Sequence, residues 1–594
     1  MAQPFARTGT QRETNMKKSP IRIRKLPLWG CTTALVTALA CGGAVNAADE
    51  GLAAPQFSNA VAFDVSPPAR GLSKANAAGP HVLDGGLINI RPDRGPGVTN
   101  SGFSGDGALE RGAARIQSLM SMPTLPAPNL TFEGLSNADN LAVLGFRVAP
   151  PDPVGDVGPD HYVEMINLVF AVYDKQGNLL AGPSSLGSLW EGFAVDDCTD
   201  NSGDPIVVYD QLEDRWILTQ FTTRFATGMF YNCVAISQTG DPTGAYYRYA
   251  FPAGEFFPDY PKYGVWTHSY LLTSRDFGVG PAGGYGISVY ALEKRKMLAG
   301  NPDARAVQFF LDSDEIPLSL VGDGLLPADI DGTRRPQDHD PAPIIGTMDD
   351  DYVYGAPFDG LNVFELFIKW RADPVASLRL AARLPVASFD SDFPCAPTAR
   401  DCLPQPGVTE PTRFLDVQSY RQRPMHRLAY RNFGQYEAMV TNQSVEARPG
   451  FAGVRWYEVR RTDDGYSVYQ QGTFAPDDGV HRWMGSIAMD WQGNMLLGYS
   501  VTNATDVYPG IRYAGRMSGD SLGEMSLGEG VIINGTGSQL TTSSRWGDYT
   551  SMNVDPTDDC TFWYVNQYYA ITELAAWQTR VASITLPGCT AKED

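Results

Sequence analysis

The chain has 594 residues, 43% of them hydrophobic and 19% charged, with 67 acidic against 46 basic residues and a net charge of −21. The length exceeds one ordinary domain. The acidic balance disfavours nucleic acid and anionic membrane surfaces as partners, because the summed field repels polyanions, although it leaves room for a local basic pocket.

Residues 1–47 read as a signal peptide. Lys17, Lys18, Arg22, Arg24 and Lys25 form a basic start, an apolar stretch runs from Leu28 to Ala44, and Val45-Asn46-Ala47 supplies the small-residue pattern for cleavage after Ala47. Met16 offers a second start, since residues 1–15 add nothing to the signal. A competing reading is a lipoprotein acylated at Cys41, but Ala38 stands where a bulky aliphatic residue is usual. The apolar run is short for a membrane span, and no later segment is apolar and charge-free for long enough. The expected location is therefore secreted or periplasmic. Cleavage leaves 39 basic and 66 acidic residues, a net charge near −27.

Six of the eight cysteines lie beyond the signal. Neighbour pairing would join Cys198 to Cys233, Cys395 to Cys402 and Cys560 to Cys589, as suits an exported chain. A metal site built on cysteine would need clustered Cys/His spacing, which the sequence lacks.

Residues 48–125 are rich in Gly, Ala, Pro and Ser and are expected to be a disordered or partly ordered arm, with a short helix over Leu109–Met122. The folded body, residues 126–594, begins near Asn129-Leu130-Thr131-Phe132. Strand-like runs then follow. They include Tyr162–Tyr173, Arg215–Phe221, Cys233–Ser237, Tyr246–Phe251, Val265–Ser274, Gly286–Leu292, Tyr352–Ala356, Leu361–Ile368, Glu437–Asn442 and Val454–Arg460. Ser486–Asp490, Met495–Ser500, Ile511–Arg516, Ser551–Val554, Cys560–Tyr568 and Arg580–Leu586 complete the series. All are dense in β-branched and aromatic residues, which suit a pleated, half-buried surface.

Similar openings recur. They read Asp152-Pro153-Val154-Gly155-Asp156, Asp204-Pro205-Ile206, Asp259-Tyr260-Pro261-Lys262-Tyr263 and Asp340-Pro341-Ala342-Pro343-Ile344, with looser forms at Phe433–Tyr436, Arg482–Gly485 and Arg545–Asp548. Degenerate repeats of this size mean an array of one supersecondary unit. The predicted fold is all-β, a seven-bladed β-propeller of four-stranded sheets. The alternative is two tandem β domains divided near Cys395.

Arg545-Trp546-Gly547-Asp548-Tyr549, Asp555–Tyr564 and His481–Ile487 resemble a poorly characterised group of exported bacterial proteins with propeller-like sequences. The resemblance would cover residues 145–587 and implies the fold but no activity. The sialidase Asp box and the WD40 and kelch signatures are missing.

The repeated turns would set Asp152, Asp204, Asp259, Asp340 and Asp548 around one rim of a central channel. Converging carboxylates could hold Ca²⁺ or act as acid and base on a glycoside. Equally, Asp before Pro or Gly can simply fix a turn. The acidic loop Asp196, Asp197, Asp200 and Asp204 offers a second oxygen-ligand set, whose spacing is unlike an EF-hand; a solvated loop pinned by Cys198 is the plain alternative. A Tyr260/His268 pair could abstract a proton beside a uronate carboxylate, with Arg275 neutralising the charge. Arg482, Arg545 and Trp546 could stack on sugar rings or lock neighbouring blades together. The one Gly-x-Ser-x-Gly match, Gly519–Gly523, lies in a loop and reads as chance. No zinc helix or P-loop occurs, and the six His are scattered, with His339 between Asp338 and Asp340 the best local ligand group.

The functional expectation is an exported protein, a monomer, that acts on extracellular carbohydrate as a hydrolase or lyase. The alternative is a non-catalytic module binding a surface glycan or protein, stabilised by disulfides and Ca²⁺.

Overall fold

The computed structural model describes residues 51–72, 87–89, 103–110, 125–279, 283–337, 340–350, 355–391, 401–417 and 423–591. The expected signal peptide, Cys41, His339, Cys395 and most of Leu109–Met122 lie outside these residues. Residues 49–594 form one compact unit.

The body is all-β and built from four-stranded antiparallel meanders. Their first strands are β1 (Val154–Val157), β2 (Ile206–Asp210), β3 (Phe256–Val265), β4 (Leu326–Asp331), β5 (Met425–Asn432), β6 (His481–Met489) and β7 (Ser551–Val554). Each pairs with the strand that follows it in sequence. In the first meander, for example, β1 runs against His161–Met165 with Val154 opposite Met165. Each first strand also touches the first strand of the next meander, and β7 touches β1, so the series returns to its start. Between β4 and β5 the approach is close enough for parallel pairing, Ala328 opposite Leu428, which fuses two meanders into an eight-stranded sheet. That sheet runs across the region of Cys395, and this overturns the division into tandem domains.

The last meander takes its outer strand from the beginning of the body: Leu130–Ser136 pairs with Trp577–Thr585, Phe132 opposite Val581. The arm contributes strands as well. Ala62–Val65 adds an edge to the second meander and Gln56–Asn59 to the third. Covering an edge this way removes exposed backbone groups that would template aggregation.

The cores lie between facing sheets. Trp190, Trp216, Trp456, Trp483, Trp546 and Trp577 are all fully buried there. A short helix, α1 (Asn137–Leu144), follows the strand Leu130–Ser136. Its start is fixed by the Asp139 carboxylate, which accepts the Ser136 N–H at 2.8 Å, and it ends at Gly145 in the left-handed region, φ 81°.

Several expected elements shift. Tyr162–Tyr173 is two strands, His161–Met165 and Val169–Asp174, and Val265–Ser274 is likewise broken by a turn at residues 266–268. In the fourth meander the strand after Asp340-Pro341, Ala342–Met348, is the second strand and not the first. Phe433–Tyr436 is likewise the turn between β5 and Glu437–Arg448.

Candidate functional site

Three successive meanders open alike in backbone geometry. Asp152 and Asp204 (φ 45°) and Tyr260 (φ 54°) all adopt the left-handed region immediately before a proline. Such positions are costly for non-glycine residues and must be held by their surroundings. Asn167 holds two of them. Its amide donates to Asp152 Oδ2 at 2.7 Å, and its Oδ1 accepts the Asp204 N–H at 2.9 Å. Helix α1 holds Asn167 in turn: Asn140 donates to the Asn167 carbonyl at 2.6 Å and accepts the Leu168 N–H at 3.0 Å. Asp548, ahead of β7, gives its N–H to Asp152 Oδ1 at 2.8 Å and pairs by its carboxylate with Arg545.

These contacts gather Asp152, Asp204 and Asp548 into one cluster, with Asp259 near enough to act on Asp204 electrostatically. Asp152, Asp204 and Asp548 are buried, and Asp259 is half-buried. Lys262, on β3, is buried among them. Its Nζ lies 3.4 Å from the centre of the Tyr260 ring and 4.0 Å from that of Tyr549, and donates to the Pro261 carbonyl at 3.0 Å. Burial pushes this amine down to about 7, against the pull of Asp204, Asp548 and Asp152. Burial, then the neighbouring Asp548, pushes the Asp152 carboxyl up to about 7. Asp204 is raised well above the usual carboxylate range by burial and by Asp259, Asp152 and Asp548. The cluster therefore retains exchangeable protons near neutral pH.

The sequence singled out the aspartates, Tyr260 and Tyr549, the last beside Arg545 and Trp546, but missed Lys262, Asn167 and His426. Lys262 had a signal: it occupies the position filled by Val154 and Ile206 in the two preceding repeats. His426, on β5, is buried with Nδ1 lacking a hydrogen-bond partner, and its ring centre lies 6.5 Å from that of Tyr549. Burial, Lys262 and Arg427 hold its pKa well below the ordinary histidine value.

Deeper along the first strands, Arg427 binds Asp329 at 2.6 Å and Asp331 at 2.7 Å. Asp156 lies at the same level, its carboxylate accepting the Tyr209 N–H at 2.7 Å.

Other expected residues lie elsewhere. Asp340 is one strand away from the corner position and faces Arg461 at 3.4 Å. Arg275 makes a two-pronged pair with Asp323 at 2.9 and 3.0 Å and contacts the Tyr285 hydroxyl, so its charge is already matched within the fold. His268 is exposed in the turn after β3 and lines a separate groove. Arg482 is fully buried between Asp478 and Glu529. Trp546 is fully buried too, its indole N–H on Ser500 Oγ at 3.0 Å and its ring beside Trp483. Neither Arg482 nor Trp546 presents a face to a sugar; both lock the interior, because a buried indole or guanidinium must find its partners there.

The acidic loop carries its own cation. Arg224 contacts Asp196 at 3.0 Å, Asp197 at 3.5 Å and Asp200, while Asp204 belongs to the central cluster. Among the described residues, the carboxylates close enough together to share a cation are Asp349, Asp350 and Asp359. Asp349 already accepts the Ser391 N–H and hydroxyl, and Asp359 accepts the N–H groups of Asp350 and Phe389.

Disulfides join Cys198 to Cys233 and Cys560 to Cys589. Cys402 is also disulfide-bonded. No helix among the described residues is long and apolar enough to cross a membrane.

No protein-family model matches the chain, and no curated protein matches it. Among solved structures it is similar to the α-L-arabinofuranosidase Arb93A of Fusarium graminearum (TM-score 0.32, 8% identity, 64% of this chain and 94% of that one). It is also similar to an α-L-arabinanase of Penicillium chrysogenum (0.26, 10%, 64% and 94%). A third is the Trypanosoma rangeli sialidase (0.28, 9%, 64% of this chain), of which the chain spans 54%.

Proposed function

We propose that this chain is an exported seven-bladed β-propeller, a monomer, that cleaves extracellular carbohydrate by acid–base chemistry at the corner cluster. The blade count is supported by the seven first strands β1–β7 and their closed order of neighbours. Export fits the two disulfides. The observation that carries the chemistry is the buried Lys262, its amine over the Tyr260 and Tyr549 rings and within electrostatic reach of Asp204, Asp548 and Asp152, with Lys262 and Asp152 both pushed to about 7. Glycoside cleavage needs one carboxyl that keeps its proton beside another that stays ionised. Burial supplies the first in Asp152 or Asp204; Asp548, ion-paired with Arg545, is the carboxylate beside them. Half-buried Asp259 is the member through which a sugar would reach the set.

A binding or adhesion module is the second reading. It is favoured by the hydrogen bonds that tie Asp152 to Asp548 and Asn167, which lock neighbouring sheets whether or not any chemistry follows.

The test is a reducing-end and unsaturated-product assay over a panel of exported glycans, with wild type, Asp204→Asn and Asp548→Asn. We expect cleavage by wild type and at least about a hundredfold loss in folded variants, the size of one lost acid–base group. If wild type cleaves nothing but binds a panel glycan, the module reading stands and the enzyme reading falls.

A further inference from the structure

A groove of about 920 Å³ lies between the third and fourth meanders, lined by His268, Arg295, Lys296, Lys369, Trp370 and Arg371. We propose that it binds an acidic saccharide, one bearing carboxylate or sulfate groups. It is a site apart from the corner cluster and stands whether or not that cluster is catalytic.

Charge comes first. The chain as a whole carries −21, yet this groove holds five basic side chains, Arg305 included, against the single carboxylate of Glu293. Glu293 is already engaged: Arg305 binds it through two nitrogens at 2.7 and 2.8 Å, and Lys296 approaches at 3.3 Å. Arg295, Lys369 and Arg371 are exposed, and among the described residues none of the three has a carboxylate at ion-pair distance. Arg371 is oriented by donating Nε to the Asp373 carbonyl at 2.8 Å, a contact that leaves its charge unmatched. Cations concentrated in a concavity focus field and attract anions even on an acidic protein.

Shape and the aromatic ring narrow the ligand. The half-buried Trp370 is fixed in place. Its indole N–H donates to Ser269 Oγ at 2.9 Å, and the Arg305 guanidinium carbon sits 5.4 Å from the ring centre. An indole held this way can pack on the C–H face of a sugar without further ordering cost. The groove has the volume of a site for a few linked rings. A saccharide with one anionic group per ring matches cations spaced along such a floor. Nucleic acid is disfavoured by its denser charge against a chain of net −21.

Titration calorimetry on the purified mature protein tests this independently of any cleavage. The probes are an oligogalacturonate hexamer, a sulfated hexamer of heparin type, a neutral hexamer of equal length and a single-stranded DNA oligomer. One of the two acidic saccharides should bind, identifying the anionic group, and should weaken as salt screens the contacts. The Arg295→Ala/Arg371→Ala double variant should weaken that binding about fivefold, the size of two partly screened ion pairs. The corresponding double change to Lys should restore most of it, and Trp370→Ala should weaken it further. Equal binding of the neutral hexamer, tighter binding of DNA, no binding of either acidic hexamer, or indifference of the folded Arg variant each overturns the proposal.

Discussion

The Asp152 carboxylate accepts the backbone N–H of Asp548 at 2.8 Å, joining residues 396 apart and tying the first meander to the last. The same carboxylate takes the Asn167 amide. A buried side chain thus supports the ring closure that backbone pairing of Leu130–Ser136 with Trp577–Thr585 also provides.

Removing that acceptor strands two buried donors. Each unsatisfied donor costs about 1–3 kcal/mol, so Asp152→Ala should destabilise the protein by about 2–6 kcal/mol in urea unfolding. Asp152→Asn retains an acceptor oxygen and should lose less. Equal stability of Asp152→Ala and wild type would remove the carboxylate from any role in closure.

Stability should fall as pH rises from about 4 to 7. Burial raises Glu110, Asp152, Glu164, Asp276 and Asp359 to about 7. Between their unfolded and folded values the folded state holds more protons than the unfolded chain, so the slope of unfolding free energy with pH is negative. His481, lowered to about 4, and His426, also lowered, oppose this but are fewer. Above pH 7 the lowered Lys262 adds a slope of the opposite sign, since the folded state then holds fewer protons than the unfolded chain and stability rises with pH. Thermal melts at pH 5 and 7.5 should give the higher Tm at pH 5. Glu164→Gln, which keeps partners for Thr579 and Leu135, should flatten the slope; a Tm that climbs steadily from pH 5 to 7.5 contradicts the assignment.

Trp546→Ala should cost about 3–5 kcal/mol through the cavity it leaves and leave glycan binding intact in whatever fraction stays folded. Loss of binding at unchanged stability would return Trp546 to the list of ligand contacts.

Dialysis against chelator should leave the Tm of the wild type unchanged, because the Arg224 guanidinium already bridges Asp196, Asp197 and Asp200 and offsets part of their charge. Arg224→Ala should lower it, and added Ca²⁺ should recover part of that loss by replacing the missing charge. A chelator-sensitive wild type would overturn this, with Asp349, Asp350 and Asp359 the carboxylates placed to share the cation.

Much of the strand pattern was readable. Runs such as Arg215–Phe221 and Val454–Arg460 fall within observed strands because β-branched and aromatic residues suit a pleated face. Turns buried inside apolar runs were not readable: Ile166-Asn167-Leu168 reads as strand by composition, yet the chain reverses there around a hydrogen-bonded Asn167. The corner aspartates were legible where Asp-Pro opens a first strand, as at Asp152 and Asp204. Asp340-Pro341 carries the same dipeptide but opens a second strand, since local turn chemistry does not encode a strand's rank in its sheet.

The sequence by itself determined the all-β class, the turn positions marked by Asp-Pro and the acidic balance, because these follow from propensities and charges that act over a few residues. Only the tertiary structure decided which carboxylates meet. It set Lys262 among Asp152, Asp204 and Asp548 and sent His268 to a different groove, and it gave the charge of the Asp196 loop to Arg224. Burial and proximity between residues hundreds of positions apart fix proton affinities, and no local pattern carries that information.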